Sequence, residues 1–366
     1  MRILHTESST GWGGQEIRIL TEAHGMLARG HQVTLATPAS AEIYPAAVKR
    51  GIPTVALPIE KKRLGSLAAM TRWLAAHRGE FDVINTHSST DSWLVALACT
   101  ALRRAPPIVR TRHVSTAVGR NRPTRWLYQS ATRHIVTTGE SLRKQLAEEN
   151  GFDSARITSV RTGIDLKVFR PLDRGECRRA LGLEEQPTLG ILATLRDWKG
   201  HDYLLDAWSL LRPKFPDWRL LFIGDGPRRA HLEHRVAAEG LTSSVRFVGN
   251  QENVPLWLNS LDLFTLPSYG DEGVPQGIMQ AMACGLAVVS TPVGAIEEAV
   301  QRGQTGLIVP ARNAEALASA LAALMEDERR RRVMGEAGHV YARAHFGIDA
   351  MLDGMEKVFR KAMSDG

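Results

Sequence analysis

Leu263-Phe-Thr-Leu-Pro267, Tyr269-Gly-Asp-Glu-Gly273 and Gln276-Gly-Ile-Met-Gln-Ala-Met-Ala-Cys284 follow one another in the second half of the chain, and their order decides how the rest is read. The apolar run is a buried strand, the polar run a loop, and the last stretch a helix with Pro275 near its first turn, where a missing N–H costs nothing. Such a strand, loop and helix aims unpaired N–H groups and the positive end of the helix dipole at whatever lies above the loop. A phosphate suits that end, while Glu272 accepts hydrogen bonds from sugar hydroxyls. One acid and several backbone donors thus converge on an anionic, hydroxyl-rich ligand.

The same alternation of short apolar strands with amphipathic helices runs through the whole chain. Strands are expected at Ile3–His5, Val33–Ala36, Thr54–Leu57, Asp82–Asn85, Ile108–Arg110, His134–Thr137 and Ile157–Val160. In the second half they are expected at Leu189–Thr194, Leu220–Gly224, Val245–Val248, Leu263–Leu266, Ala287–Thr291 and Gly306–Val309. This is the pattern of parallel sheets covered on both faces, so the fold class is α/β with two doubly wound sheets in tandem. The stretch 160–171 is the linker, which sets a first domain at 1–169 and a second at 170–347. A final helix, 348–366, carries Met351, Leu352, Met355, Val358 and Phe359 at helical spacing and is free to pack back on the first domain.

With 366 residues the chain is long enough for two ordinary domains, and 43% hydrophobic and 23% charged residues are those of a globular protein. Lys plus Arg exceed Asp plus Glu by 46 − 39 = 7, a mildly basic balance that fits a phosphate-bearing substrate, an anionic membrane surface or nucleic acid, among which net charge alone does not choose. Cys99, Cys177 and Cys284 are odd in number and form no Cys-x-x-Cys pair, so neither a disulfide framework nor a zinc site is expected, and a reduced, cytoplasmic setting is. Arg2 leads at once into a strand, and no apolar run reaches spanning length. Any contact with the inner face of a membrane is therefore expected to be peripheral.

Four further constellations bear on chemistry. Gly11-Trp-Gly13-Gly14 follows the first strand and opens a helix, which lets a ligand approach the backbone; it lacks the later glycine of a dinucleotide fingerprint, so no nicotinamide or flavin cofactor is expected. Leu195-Arg-Asp-Trp-Lys-Gly200 follows the first strand of the second half and puts Arg196 and Lys199 at that sheet's carboxyl edge, where ligands of such folds bind. His87 and His113 both follow strands of the first half and are the proton-active groups there. Arg110, Arg112, Arg120, Arg122, Arg125 and Arg133 are interleaved with Trp126 and Tyr128, a segment suited to lipid headgroups or a phosphorylated acceptor. Patterns for acyl hydrolysis, P-loop chemistry and zinc proteolysis are absent from the sequence.

Taken together with Gly224-Asp-Gly-Pro227, Val245-Arg-Phe-Val-Gly249 and Ala281-Met-Ala-Cys-Gly285, these motifs resemble glycosyltransferase family 4 over nearly the whole chain. The resemblance implies the GT-B architecture, two facing Rossmann-like domains with a cleft between them, and retaining, metal-independent transfer from a nucleotide-diphosphate sugar with no cofactor. It implies that Glu272 binds donor-sugar hydroxyls, that the N–H groups of Gln276 and Gly277 and the Lys199 ammonium meet the diphosphate, that Gly14, with Gly13 beside it, approaches the phosphate, and that His113 lies beside the transferred sugar. The segment from Arg246 to Val248 falls where the family contacts the nucleobase. Two positions depart from the pattern. The family's second acid, which accepts from ribose hydroxyls, is Gln280, and its arginine place is Thr194, with Arg196 two residues on as a substitute.

The acceptor that fits these expectations is a cell-envelope glycan, lipopolysaccharide or a lipid-linked oligosaccharide. A soluble small-molecule acceptor is the alternative within the class; a non-catalytic nucleotide-sugar-binding subunit and an epimerase are the alternatives outside it. The basic residues form no nucleic-acid motif, and no nucleic-acid partner is expected.

Overall fold

The computed structural model describes residues 1–102, 105–113, 116–270 and 272–364. The loop residue at 271 and the last two positions of the expected final helix lie outside these. The chain divides into two compact units, Met1–Gly163 with Ile348–Gly366, and Ile164–Gly347.

The first unit is built on strands β1 (Arg2–Thr6), β2 (Gln32–Thr37), β3 (Thr54–Ala56), β4 (Val83–Thr86), β5 (Ile108–Arg112), β6 (His134–Thr137) and β7 (Ile157–Ser159). They pair in parallel in the order β3-β2-β1-β4-β5-β6-β7. Successive side chains of a strand point to opposite faces. Ile3, Val83, Val109 and Val136 accordingly join one core, and Leu4, Ile84, Ile108 and Ile135 the other. Both faces of the inner strands are buried, which is why consecutive apolar pairs such as Ile3-Leu4, Val83-Ile84, Ile108-Val109 and Ile135-Val136 mark them. The helix Ile348–Ser364 buries Met351, Leu352, Met355, Val358 and Phe359 in the first of these cores, beside Ile19, Leu20 and Ala23 of the helix Gly14–Ala28.

The second unit holds β8 (Thr188–Leu192), β9 (Arg219–Ile223), β10 (Val245–Gly249), β11 (Leu263–Leu266), β12 (Val288–Ser290) and β13 (Gly306–Ile308), also parallel, in the order β10-β9-β8-β11-β12-β13. Both orders reverse at the first strand of their unit, and ligands of open α/β sheets bind beyond the carboxyl ends of the strands at such a reversal. The unit boundary lies at Gly163/Ile164, six residues before the expected 169. Ile164 donates its N–H to the Phe346 carbonyl at 2.8 Å, and Ile164, Leu166 and Phe169 pack with the second core, so the expected linker is largely part of that unit. Among the described residues no helix is long and apolar enough to cross a membrane.

Candidate functional site

In the second unit, three loops at the carboxyl edge are stitched together by backbone contacts. The turn after β8 carries Asp197–Lys199 and ends at Gly200, whose φ of 77° is left-handed. A Cβ on Gly200 would lie 2.0 Å from the Pro267 carbonyl oxygen, so glycine is what lets this turn press on the end of β11. Tyr269 N–H then donates to Trp198 O at 2.7 Å. On the other side, Leu195 N–H donates to Asp225 O and Arg228 N–H to Leu195 O, both at 3.0 Å, which ties in the Gly224-Asp-Gly-Pro loop after β9.

This framework brings Lys199 and Glu272 into contact. Lys199 Nζ lies 2.6 Å from Glu272 Oε1, and the Ser268 hydroxyl donates to the same oxygen at 2.7 Å. Glu272 is 7% exposed. Its backbone is held from behind by the loop after β12: Ala295 N–H donates to Glu272 O at 3.1 Å, and Gly294, at φ 59°, leaves no room for a side chain, since a Cβ would stand 2.0 Å from that same oxygen. Glu272 precedes the helix Gln276–Ala283, whose N-cap is Pro275 and has no side-chain cap. Gln276 and Gly277 are its first two residues, and Gln280 is half-buried one turn on.

Of the remaining expected residues of this unit, Arg196 accepts the Lys199 N–H with its carbonyl at 3.1 Å. Arg196 is exposed and rests over the Trp198 indole, 5.2 Å from its centroid. Arg246 is exposed on the edge strand β10, where Val248 is half-buried and its carbonyl accepts from the Gln251 amide.

In the first unit Gly13 precedes the helix that begins at Gly14. Its backbone is extended, and a Cβ there would meet only Glu16, at 3.6 Å, so nothing within the unit demands glycine at that position. The loop is closed by Glu7 at the end of β1, which accepts from Ser9 N–H at 2.6 Å and from the Gln15 amide and Ser88 hydroxyl. Burial, reinforced by the neighbouring Asp91, pushes the Glu7 carboxyl up to about 8. Asp91 caps its helix through the N–H groups of His87 and Ser88, and burial still lifts it to about 6.

His87 is not a surface group. It is 4% exposed and sits between two other imidazoles: His5 Nδ1 is 2.9 Å from His87 Nε2, and His87 Nδ1 is 3.0 Å from His113 Nε2. Only His113 of the three is partly exposed. Burial holds His87 and His113 well below the usual imidazole range. Behind His5, Glu22 and Arg18 of the helix Gly14–Ala28 are fully buried, with Arg18 Nε 3.7 Å from Glu22 Oε2. Sequence reasoning missed His5, Arg18 and Glu22; the signal available was an acid four residues after an arginine on the helix that follows the glycine loop.

The basic segment splits. Arg120, Arg122, Arg125 and Arg133 are exposed, whereas Arg110 is buried with its guanidinium 4.5 Å from the Tyr128 ring centroid. Arg112 donates to the Tyr128 hydroxyl at 2.8 Å. The segment is thus half a packed aromatic layer rather than one solvated face. Among the described residues, no cluster of three or more His, Cys, Asp or Glu side chains is placed to hold a metal ion.

The family model described as Glycosyltransferase Family 4 matches residues 12–168, and that described as Glycosyl transferases group 1 matches residues 186–327. The lipopolysaccharide core biosynthesis mannosyltransferase LpsB of Rhizobium meliloti is 33% identical over 267 residues, covering 70% of this chain and 74% of the relative. The D-inositol 3-phosphate glycosyltransferase of Mycobacterium ulcerans is 28% identical over 397 residues, covering 96% and 82%. Among solved structures, Anabaena Alr3699/HepE in complex with UDP and glucose superposes with a TM-score of 0.86 at 20% identity over 98% of each chain. The sucrose-phosphate synthase of Thermosynechococcus elongatus gives 0.83 at 20% identity over the full length of both. At such identities the likeness speaks for the fold, which is the GT-B fold of two Rossmann-like domains.

Proposed function

This chain belongs to glycosyltransferase family 4, and from that premise we propose that it moves a hexose, with retention and without a metal, from a nucleoside-diphosphate sugar to a cell-envelope glycan acceptor. The observation that carries the donor half is the Lys199–Glu272 contact at 2.6 Å beside the start of the helix Gln276–Ala283. Transfer requires the charge of a departing diphosphate to be stabilised as an oxocarbenium-like sugar forms. Lys199, the N–H groups of Gln276 and Gly277, and the helix dipole supply that stabilisation in a preorganised form, and Arg196 adds to it by leaving the Trp198 face. Glu272 takes the sugar hydroxyls.

Retaining glycosidases use a second carboxylate about 5 Å from the first. Glu272 Oε1 meets an ammonium and a hydroxyl instead, which favours a front-face route in which the leaving phosphate takes the acceptor's proton. His113 then positions the sugar. The similarity to a lipopolysaccharide core mannosyltransferase favours the envelope glycan. A soluble phosphorylated acceptor is the second reading, favoured by the likeness to the inositol 3-phosphate enzyme over 96% of the chain. Salt-reversible sedimentation with anionic vesicles separates the two, because a peripheral enzyme binds and is released by salt.

Calorimetric titration with uridine, guanosine and adenosine diphosphates tests the donor site. Binding of one base, weakened about 10- to 100-fold in Lys199→Ala by loss of a charged hydrogen bond of about 1.5–3 kcal/mol, is expected. Absence of binding to all three, or an unchanged affinity in the variant, overturns the assignment.

A further inference from the structure

His113 is the outer end of a row of groups that reaches the middle of its unit. Behind it stand His87 and His5, joined ring nitrogen to ring nitrogen at 3.0 and 2.9 Å. The inner nitrogen, His5 Nε2, has no hydrogen-bond partner and faces Glu22 Oε1 across 4.0 Å, with both side chains wholly buried. Glu22 is embraced by polar groups from three elements. Arg18 of its own helix lies 3.7 Å from Oε2, Asn85 of β4 donates to Oε1 at 3.2 Å, and Thr111 of β5 donates to Asn85 at 2.9 Å. Arg18 in turn is anchored on the Val160 carbonyl, the Thr162 hydroxyl and Met355.

A neutral imidazole has one N–H and one lone pair. In a row of three, the direction of one bond therefore dictates the others. Either every ring carries its proton on Nε2, with each N–H pointing inward toward Glu22, or every ring carries it on Nδ1, with each N–H pointing outward. An ionised Glu22 attracts the inward set, and a protonated Glu22, closing on His5 Nε2 with its O–H, selects the outward set.

We propose that Glu22 is the inner terminus of a proton relay through His5 and His87 whose outer terminus is His113, so that a proton taken up at His113 Nδ1 is stored on Glu22. The protons balance. One enters at Nδ1 of His113, the Nε2 protons of His113, His87 and His5 each move one place inward, and the last becomes the O–H of Glu22. Three N–H bonds break, three N–H bonds and one O–H bond form, and nothing is oxidised. Burial keeps the rings neutral, with His5 down at about 3, helped by the Arg18 charge, and His113 further lowered by Arg18 and Arg112. Burial lifts Glu22 to about 7 against the pull of Arg18 and Asn85, which puts its titration within reach. His5, His87 and Glu22 are positioning residues: they decide whether His113 offers a lone pair or an N–H. What this does to transfer rests on His113 lying beside the sugar; the relay itself does not.

Long-range proton–nitrogen correlation spectra of the full chain with 15N-labelled histidine read the tautomers directly. As pH rises through neutrality, all three rings are expected to pass from Nδ1–H to Nε2–H with one midpoint, shared by the Glu22 carboxyl carbon. Glu22→Gln is expected to abolish the switch at all three. Rings that titrate separately or become imidazolium overturn the relay, as does a switch that survives in Glu22→Gln. If that variant does not fold, a Glu22 carbon midpoint away from that of the rings overturns it in the wild type. Full transfer activity in His113→Gln refutes the role of His113 at the sugar, while a shared wild-type midpoint still supports the relay.

Discussion

Gly294→Ala should disable the proposed donor site without changing any side chain proposed to contact the donor. The new Cβ would stand 2.0 Å from the Glu272 carbonyl oxygen and 2.8 Å from its carbonyl carbon and nitrogen, where ordinary contact begins at 3.4 Å. One of the two backbones must therefore give by about 1.4 Å, the difference between those distances. The Ala295 N–H bond to Glu272, worth about 1 kcal/mol, is lost in that movement. Holding alanine at φ 59° adds about 1–2 kcal/mol. The sum is about 2–3 kcal/mol of stability, and a displacement of an ångström at a positioning group costs about 100-fold in rate. Gly303→Ala is the control, because Gly303 has φ 73° and nothing within 4 Å of its would-be Cβ; it carries the conformational cost alone. Urea denaturation and a donor-turnover assay on both variants separate strain from displacement. Wild-type turnover in Gly294→Ala, or an equal loss in Gly303→Ala, would refute the claim that this loop sets Glu272.

Three other outcomes follow from particular residues. If Gln280 meets the ribose as proposed, Gln280→Glu adds charge assistance of about 1 kcal/mol to that contact, so donor affinity by calorimetry should rise about fivefold; no change would mean that this side chain does not reach the ribose. Asp262→Ala removes the buried carboxylate 2.6 Å from Arg178 Nη2, leaving Arg178 only the Ser260 carbonyl and the more exposed Glu185, and should cost about 3 kcal/mol in urea denaturation. Glu22 holds its proton up to about 7 when folded and up to 4.5 when unfolded, so the folded state binds more protons between those values, and the contribution of this group to stability falls as pH rises from 4.5 to about 7. Glu22→Gln lacks that fall: its stability relative to wild type should rise across the window, and a flat difference would contradict the burial-driven shift.

What could be read before any coordinates follows the physics of burial. All thirteen expected strands form, because strands covered on both faces carry consecutive apolar residues, and the loop and helix around Glu272 lie where the breaks in that pattern put them. The boundary falls six residues before the expected 169 because Ile164 looks like an extended connector yet pairs with Phe346, nearly two hundred positions later, and Phe169 packs on the core of the second unit. Periodicity assigns charged residues to the outside of a helix, so Arg18 and Glu22 read as a solvent pair when both are fully buried. Arg110 misleads in the same way. His5, one residue inside the end of β1, gives no local sign that it meets His87, just past the end of the neighbouring strand β4.

The first sheet is covered on one face by the helix Ile348–Ser364, which is made only after the entire second unit. Domains ordinarily complete themselves in order of synthesis, N-terminal first. Here the order is inverted: while the ribosome is still translating, Ile19, Leu20 and Met26 wait with their apolar side uncovered, and the later unit is the first to have its whole core. The first unit therefore depends on synthesis reaching the helix Ile348–Ser364, and a nascent protein stalled or truncated before residue 348 would carry a folded second unit tethered to a first unit whose apolar face is exposed to chaperones and proteases.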